Sequence, residues 1–281
     1  MLKKVLLGCA LMTATAWWPR VTEATEQLAA QPAAYQVVRC KIAVDGDPSD
    51  WKTIPPVLVR GEKHLWFGQG MTREQWRGND DLSYSWRAAW WGNKLYFLVE
   101  VTDDKVLGPE RPSSFLCDGL EIYLDYGNRG GRRVKVLDGR ADWFAKFDPK
   151  ELMGYEMHFL PSSPPRVYLD HRAKYATDSP HNAEFARRWQ GEIAAKRTKT
   201  GYLLEIGFSV PGLALKPDMV IGVQLGVNDD DGQGRKSIMM WPATKTDFWL
   251  TMDGYAKFTL VESALSSKQR VRRPSPLSKT R

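Results

Sequence analysis

Short runs in which apolar and polar residues alternate are the feature that most constrains the fold of this chain. Residues 95–102 alternate Leu, Phe, Val and Val with Tyr, Leu, Glu and Thr. The preceding run, Tyr84–Trp91, is rich in aromatic residues, and Gly92-Asn93 separates the two runs. Two such runs joined by a two-residue turn of this composition are typical of a β-hairpin. The segment is therefore predicted to form two antiparallel strands.

Three further runs, residues 120–125, 203–210 and 221–228, repeat this period-2 pattern. Each places apolar side chains on one face, and such strands bury that face when two sheets pack against each other. Helical periodicity is scarce, and only residues 182–195 suggest one or two helical turns. The sequence thus predicts an all-β chain, an antiparallel β-sandwich of jelly-roll or immunoglobulin-like type. Long loop insertions are expected, including the basic, glycine-containing segment 127–148.

The formal charge of +7 is concentrated at the two ends of the chain. Residues 1–16 contain two lysines, and residues 263–281 contain six lysines and arginines without an acid, which leaves residues 17–262 close to neutral. Nucleic-acid binding requires a basic patch or stripe on the folded domain. We therefore expect no nucleic-acid partner.

The first sixteen residues have the features of a secretory signal peptide. Lys3 and Lys4 precede an apolar run, and small residues end at Ala16, where cleavage is expected, with Ala24 as the alternative. The chain is thus expected in the periplasm or outside the cell. The run Leu6-Leu7-Gly8-Cys9 also matches a lipoprotein box, which would anchor the chain through Cys9, but hardly any apolar run precedes it. No run approaches the eighteen apolar residues of a membrane span.

The remaining chain divides into three parts. Residues 17–36 are predicted to be a spacer, residues 37–262 a folded domain, and residues 263–281 a disordered basic tail. Once the signal peptide is removed, Cys40 and Cys117 remain. In an oxidising compartment they form either one disulfide or two buried thiols, and the sequence leaves both alternatives open.

Six segments occur in an order that resembles the family 9 carbohydrate-binding modules. They are Ile42–Asp47 with Asp50-Trp51, Trp90–Asp104, Asp118–Asp125, Gly201–Ile206 with Pro211, Ile221–Asp229, and Met239–Trp241. The resemblance extends from about Val38 to Val261. It implies a β-sandwich that binds polysaccharide or oligosaccharide between two aromatic rings. It also implies an association with xylanases and other secreted polysaccharide-degrading enzymes.

The resemblance further implies which residues form the sugar site. Phe115 and Trp241 match the two rings, Glu121 matches an acid that bonds sugar hydroxyls, and His158 and Asn228 are expected to add polar contacts. Phe115 stands where the family usually has tryptophan, and His158 stands where it tends to have arginine. Both departures are expected to weaken the site.

No cofactor is required by this interpretation, although some members of the family bind calcium structurally. The candidate oxygen ligands here are Asp103, Asp104 and Asp118. Their spacing matches no specific calcium-binding loop.

Two other functions are considered. A glycoside hydrolase needs two carboxylates about 5–9.5 Å apart, but Glu121 and Asp125 lie about 13 Å apart on one strand, and Asp118 points to the opposite face. Only acids distant in sequence could form the pair. Related sandwiches also bind b-type haem for electron transfer, for which Met239, Met240 and His158 are the available ligands. The sequence favours a non-catalytic, secreted sugar-binding protein that acts alone or with a separate glycoside hydrolase.

Overall fold

The computed structural model describes residues 33–108, 113–131, 135–137, 140–142, 154–169, 190–209 and 214–262. These residues form fourteen strands and short 3₁₀ turns. The strands are β1 (Ala34–Arg39), β2 (Val57–Val59), β3 (Leu82–Trp91), β4 (Lys94–Asp103), β5 (Gly119–Asp125), β6 (Lys135–Leu137), β7 (Arg140–Asp142), β8 (Gly154–Leu160), β9 (Arg166–Leu169), β10 (Gln190–Thr198), β11 (Gly201–Ser209), β12 (Val220–Asp230), β13 (Arg235–Trp241) and β14 (Ala256–Val261).

Twelve of these strands form one hydrogen-bonded sheet in the order β10-β11-β4-β3-β1-β14-β12-β5-β8-β9. Strand β13 adds beside β12, β2 adds beside β3, and β6 and β7 form a separate pair. Side chains from β3, β4 and β11 share one apolar core with side chains from β5, β12 and β14. The two halves of the sheet therefore face each other as a β-sandwich. The predicted fold class is confirmed, and the two layers are continuous through β1, which pairs in parallel with both β14 and β3.

The hairpin predicted at Gly92-Asn93 is confirmed. Strands β3 and β4 pair antiparallel, with Trp91 opposite Lys94, and Gly92 has φ +59° in the turn. Strands β5, β11 and β12 also match the predicted runs. Period-2 alternation thus identified the strands whose pairing builds most of the core.

The prediction of helical turns within residues 182–195 was wrong for residues 190–195, the part that the structure describes. Residues 190–195 belong to β10, which pairs along its whole length with β11. The strand is mostly exposed and has no continuous apolar face. Its conformation is thus set by backbone hydrogen bonds to β11, which the pattern of side chains does not reveal.

The domain begins slightly earlier than predicted, because β1 starts at Ala34 and pairs with β14 from that residue. The expected signal peptide with Cys9, most of the spacer and the basic tail lie outside the described residues. The expected loop insertion at 127–148 contains the β6–β7 pair. Among the described residues, no helix is long and apolar enough to cross a membrane.

Cys40 and Cys117 do not form a disulfide with each other. Their sulfur atoms lie 3.8 and 3.7 Å from the carbonyl oxygens of Lys41 and Ser113, respectively. Cys40 follows β1, which is separated from β5 by the two strands β14 and β12, and Cys117 precedes β5 near the opposite end of β12. Bridging requires Cα atoms within about 7 Å. The structure therefore selects the second of the two alternatives, two thiols.

Candidate functional site

The polar face of β5 and β12 is buried, although alternation alone places it in solvent. Glu121 and Asn228 are each only 1% exposed. A second apolar cluster lies on this face, and it consists of Trp66, Tyr123, Ile238, Met240, Phe248, Met252 and Tyr255. Trp66 and Phe248 belong to the two segments that cover the face, about residues 65–71 and 243–255. The site is formed where this cover leaves an opening.

The opening is a pocket of about 90 Å³. Its walls combine four aromatic rings with charged and polar groups, contributed by three strands and three connecting segments. The lining residues are Gln69, Phe115, Glu121, Tyr123, Glu156, Arg235, Phe248 and Trp249. Phe115 and Glu121, two of the residues expected to contact the sugar, line this pocket. His158 and Asn228 each contact a lining carboxylate, so the structure brings four of the five predicted site residues together.

The register of three adjacent strands explains this convergence. Glu121 on β5 lies opposite Gly226 on β12 and opposite His158 on β8. Asn228 lies two residues from Gly226, and therefore on the same face. The absence of a side chain at Gly226 leaves space that Met240 occupies, because a Cβ there would lie 2.9 Å from the Met240 sulfur.

Hydrogen bonds fix the direction of the acceptors in the pocket. Glu121 accepts from the Asn228 amide through Oε1 and from the Tyr123 hydroxyl through Oε2, both at 2.6 Å. The Tyr123 hydroxyl also lies 3.2 Å from Glu156 Oε1, which is 2.8 Å from His158 Nε2. Buried polar groups joined in this way hold one arrangement. The base of the pocket is thus a preorganised network of hydrogen-bonding groups.

Arg235 contributes the cation of the pocket. Its guanidinium lies 3.6 Å from Glu121 and donates to Asn228 Oδ1 at 3.3 Å and to Gln69 Oε1 at 2.6 Å. It also lies over the ring of Phe115, 5.1 Å from the centroid. The side chain is thereby held between the polar network and an aromatic wall.

A β-bulge aims Arg235 into the pocket. The register of β12 and β13 shifts so that Asp229 faces Ser237 while Asp230 faces Arg235, which leaves Lys236 as the extra residue. A bulge re-aims the side chains that follow it. Sequence reasoning missed Arg235 because strict alternation places it on the face of Trp241, and the acidic, glycine-containing turn at 229–234 was the available signal of an irregular pairing.

Two aromatic rings of the pocket wall, Phe115 and Trp249, come from different segments of the chain. Phe115 lies in a 3₁₀ turn, Ser114–Leu116, just before β5. Trp249 lies in the segment that follows β13 and packs edge-on against Trp66 at 4.8 Å and against Phe248 at 5.0 Å. Sequence reasoning also missed Trp249. Its signal was a pair of large aromatic residues in a segment of threonine, lysine and aspartate, where no strand core can bury both.

Trp241 does not belong to this pocket, and the predicted pairing with Phe115 is corrected. Its ring packs 4.5 Å from Trp86 and 5.9 Å from Phe258, in the core between the two halves of the sheet. Along β13, Met239 and Trp241 face that core, whereas Ile238 and Met240 face the cover of the pocket. Trp241 therefore faces the core between the two halves of the sheet and not the pocket.

The alternation of side chains along β13 also tests the hypothesis that the protein binds haem. Met239 and Met240 are both fully buried and pack in two different apolar clusters on opposite faces of β13. They cannot point to one iron. His158, the third potential ligand, uses Nε2 to contact Glu156. The structure assigns the methionines to core packing.

Carboxylates also gather on the other side of β12, and the predicted set Asp103, Asp104 and Asp118 is corrected. Asp103 and Asp118 group with Asp229, with candidate ligand oxygens within 4.8 Å of one another. Asp104 groups instead with Asp81 and Asp231. The pattern failed to include Asp229 because the residue comes from β12, more than a hundred positions away in sequence.

The fold and the pocket define a β-sandwich with a ring-walled polar site, the architecture of a small-ligand binding module. The family described as "carbohydrate family 9 binding domain-like" matches residues 63–136 and 166–263, which is more than half of the chain. The chain therefore belongs to the family 9 carbohydrate-binding modules.

Solved structures agree on the fold. A family 9 module from Caldicellulosiruptor kristjanssonii in complex with cellotriose superposes with a TM-score of 0.56 at 16% identity, covering 86% of this chain and 99% of that one. The glucose complex of a family 9 module from this organism gives 0.56 at 15% identity, covering 82% and 97%.

Among curated proteins, exoglucanase XynX from Acetivibrio thermocellus is 21% identical over 184 residues. The match covers 65% of this chain but only 14% of the exoglucanase. The similarity is therefore to a small part of a much longer protein.

Proposed function

We propose that this protein is a non-catalytic carbohydrate-binding protein that holds one sugar ring between Phe115 and Trp249. The observation that supports this most is the combination of two aromatic walls with a preorganised polar base in one open pocket. A sugar ring has an apolar face of C–H groups and a rim of hydroxyls. An aromatic face beside a few oriented donors and acceptors complements both.

The polar contacts are assigned to the groups at the base. Glu121 and Glu156 accept from sugar hydroxyls, and Arg235 and Gln69 donate or accept at the rim. Asn228 and His158 orient the two carboxylates rather than lying along the wall themselves. A pocket of about 90 Å³ is smaller than the usual range for whole drug-sized ligands. We therefore expect one terminal sugar of a chain to enter.

Glucose and short β-linked glucose oligomers are the first ligands to test, because glucose and cellotriose are bound by the similar modules. At about 0.3 kcal/mol per heavy atom, a disaccharide of about two dozen atoms gains roughly 7 kcal/mol, a dissociation constant on the order of 10 µM. Bound waters are expected to carry part of the recognition.

Binding without hydrolysis is proposed even though two carboxylates meet in the pocket. Glu121 and Glu156 both contact the Tyr123 hydroxyl, which keeps their nearest oxygens within about 6 Å, a separation compatible with a glycosidase pair. Both are almost fully buried and already hydrogen-bonded to protein groups. Incubation with aryl glycosides of glucose and xylose is expected to release no phenol above a protein-free control, and release that Glu121→Gln abolishes would contradict the proposal.

We further propose that the protein is exported and acts beside a separate glycoside hydrolase. The features of residues 1–16 support export. The partial match to an exoglucanase supports an association with polysaccharide breakdown.

Isothermal titration of the purified chain with glucose and cellotriose tests the proposal. Trp249→Ala is expected to weaken binding at least tenfold. The matched control is Trp91→Ala, because Trp91 is 42% exposed and contacts Arg39 beside the β3–β4 turn. Equal affinity in the two variants would remove Trp249 from the site, and absence of binding to the unaltered protein would refute these ligands.

A further inference from the structure

A groove of about 620 Å³ lies beside the segments that cover the ring-walled pocket of Phe115 and Trp249. It shares no lining residue with that pocket. Cavities of this size commonly hold small ligands. The groove is lined by Leu65, Phe67 and Thr244 and by three charged side chains, Glu62, Lys63 and Lys245.

The backbone of residues 65–67 turns the groove away from the pocket. Leu65 forms a bridge with Met239 of β13, and the Trp66 N–H donates to the Ile238 carbonyl at 3.1 Å. Trp66 belongs to the apolar cluster under the cover of the pocket. Successive residues of an extended segment point in opposite directions, and Phe67 accordingly lines the groove. One short segment thus contributes side chains to two separate sites.

Hydrogen bonds hold both walls of the groove in place. The Trp66 indole donates to the Thr246 carbonyl at 3.0 Å, which ties the two covering segments together. The Thr244 hydroxyl accepts from the backbone N–H of Thr246 at 3.1 Å. His64 Nδ1 lies 3.0 Å from the Met240 carbonyl oxygen, so the turn that contains His64 is fixed to β13. A preformed groove of this kind loses little freedom when a ligand binds.

Phe67 presents an aromatic ring to solvent in this groove. Its exposed fraction is 49%, and within the described part of the chain no other ring and no cation packs on it. Trp91, another exposed ring, differs because the guanidinium of Arg39 lies over it at 4.9 Å. Exposed apolar surface that is rimmed by polar groups marks an interaction site. The Phe67 ring is therefore available to a ligand.

The charge of the groove is positive. The Glu62 carboxylate is paired with Arg73 at 2.7 Å. Lys63 and Lys245 are both exposed, and among the residues that the structure describes neither ammonium takes part in an ion pair. Two unpaired cations beside one aromatic ring complement a ligand that carries both an anionic group and an apolar ring face.

A sugar that carries a carboxylate combines these two features. The C–H face of its ring packs on an aromatic side chain, and its carboxylate accepts from ammonium groups. A nucleic acid or another long polyanion is a poorer match, because its binding depends on many cations and residues 17–262 are close to neutral in sum.

The ring-walled pocket has a different charge balance. The carboxylates of Glu121 and Glu156 line it, together with the guanidinium of Arg235. A sugar carboxylate placed there would meet two acids, and like charges brought together oppose binding. The pocket thus favours neutral sugars, whereas the groove favours acidic ones.

We propose that the groove is a second carbohydrate site, selective for uronate-bearing glycans. The uronate ring packs on Phe67, its carboxylate is bound by Lys63 and Lys245, and the Thr244 hydroxyl contacts the hydroxyls of the ring. This inference goes beyond the proposed function, since it assigns a different class of sugar to a site that shares no lining residue with the pocket.

Isothermal titration of the full chain with trigalacturonate tests the inference. Its methyl ester is the matched ligand, because it keeps the three rings and removes the charges. Trigalacturonate is expected to bind roughly tenfold or more tightly than the ester. Phe67→Ala and the double substitution of Lys63→Gln with Lys245→Gln should each weaken trigalacturonate binding about tenfold or more. Substitutions at such exposed positions are expected to leave the fold intact.

Two control variants match these changes elsewhere on the surface. The double substitution of Lys41→Gln with Lys52→Gln removes the same charge from exposed positions that line neither site. Trp91→Ala removes an exposed ring. Both variants should keep the trigalacturonate affinity of the unaltered chain. Triglutamate, which has carboxylates but no sugar ring, should show no measurable binding.

Absence of trigalacturonate binding overturns the inference. Equal affinity for triglutamate, or an equal loss of affinity in the two lysine double variants, also overturns it, because charge alone would then explain the binding.

A comparison of Phe67→Ala with Trp249→Ala separates the two sites. Phe67→Ala should keep cellotriose binding, and Trp249→Ala should keep trigalacturonate binding. Loss of trigalacturonate binding in Trp249→Ala would place the uronate in the ring-walled pocket and overturn the inference. Trigalacturonate binding by an unaltered chain that binds neither glucose nor cellotriose would refute the ligands of the proposed function and leave the inference standing.

Discussion

Asn228 and Asp229 are neighbours in β12 whose side chains serve opposite faces of the sheet. Asn228 donates to Glu121 at 2.6 Å at the base of the ring-walled pocket. Asp229 lies in the buried carboxylate cluster and accepts from the Ser237 hydroxyl at 3.0 Å. Because successive residues of a strand alternate in direction, one peptide unit joins the pocket and the cluster. A displacement of this peptide unit would therefore move both side chains, Asn228 and Asp229.

Trp241→Ala is predicted to affect stability and leave sugar binding intact. The ring packs against Trp86 and Phe258 in the main core, and its removal leaves a cavity that costs about 3 kcal/mol. Urea denaturation should show this decrease in the free energy of unfolding, while titration with cellotriose should give an affinity within about twofold of the unaltered protein. A large loss of affinity in a folded variant would place Trp241 in the site after all.

Glu121→Gln is predicted to weaken sugar binding at least tenfold. The carboxylate orients Asn228 and Tyr123 and is the acid nearest to Arg235, and an amide replaces one of its acceptor oxygens with a donor. Sugar titration measures the change.

Glu205→Gln serves as the control for loss of a buried glutamate. Glu205 is fully buried and accepts from the Trp51 indole at 2.7 Å and from the backbone of Asp45 and Gly46. Its amide form should lower the free energy of unfolding by about 2 kcal/mol and leave sugar affinity unchanged. Equal effects of the two substitutions on sugar binding would mean that Glu121 acts only through stability.

Gly68→Ala is predicted to disturb the pocket without touching a lining residue. A Cβ at position 68 would lie 1.9 Å from the Trp66 ring, so that ring must move. Trp66 packs edge-on against Trp249, and overpacking of this kind costs about 1–3 kcal/mol. Cellotriose titration should show weaker binding. Gly61→Ala is an unsuitable control because Gly61 has φ +84°, whereas Gly108, with no atom near its Cβ position, is suitable.

Lys236→Met is predicted to destabilise the fold. The ammonium contacts Asp81, Asp229 and Asp231 within 3.1 Å and is largely buried. Removing the cation from buried carboxylates costs about 3 kcal/mol or more, which denaturant unfolding measures. Lys245→Met, at an exposed position, should have little effect. A change below about 1 kcal/mol for Lys236→Met would mean that the carboxylates are neutralised in another way.

The strands that form the core could be predicted because apolar and polar residues alternate along their sequences, although both faces of β5, β11 and β12 are buried in the fold. Strands β3, β4, β5, β11 and β12 alternate clearly, and each was found close to its predicted bounds. Strand β10 is exposed and held by backbone bonds to β11, so its side chains carry no such signal. Helical turns were expected there from a short stretch of helical periodicity within residues 182–195.

The site was predictable only in part. Glu121, His158, Asn228 and Phe115 lie on or beside strands whose positions the resemblance aligned. The positions of Trp249 and Arg235 depend on tertiary structure. Trp249 lies in a segment that folds back over a strand face. Arg235 lies at a β-bulge that reverses the direction of its side chain. Trp241 was expected in the site because the resemblance matched it to the second ring, and alternation along β13 does not tell which face of the strand is covered.

The most direct measurement is an experimental structure of the protein with glucose bound. The account predicts one pyranose ring between Phe115 and Trp249, in van der Waals contact with both at about 4 Å, with hydroxyls bonded to Glu121 and Glu156. A sugar held at Trp241 would contradict it. So would a sugar in the separate groove lined by Leu65, Phe67 and Thr244, with the ring-walled pocket empty.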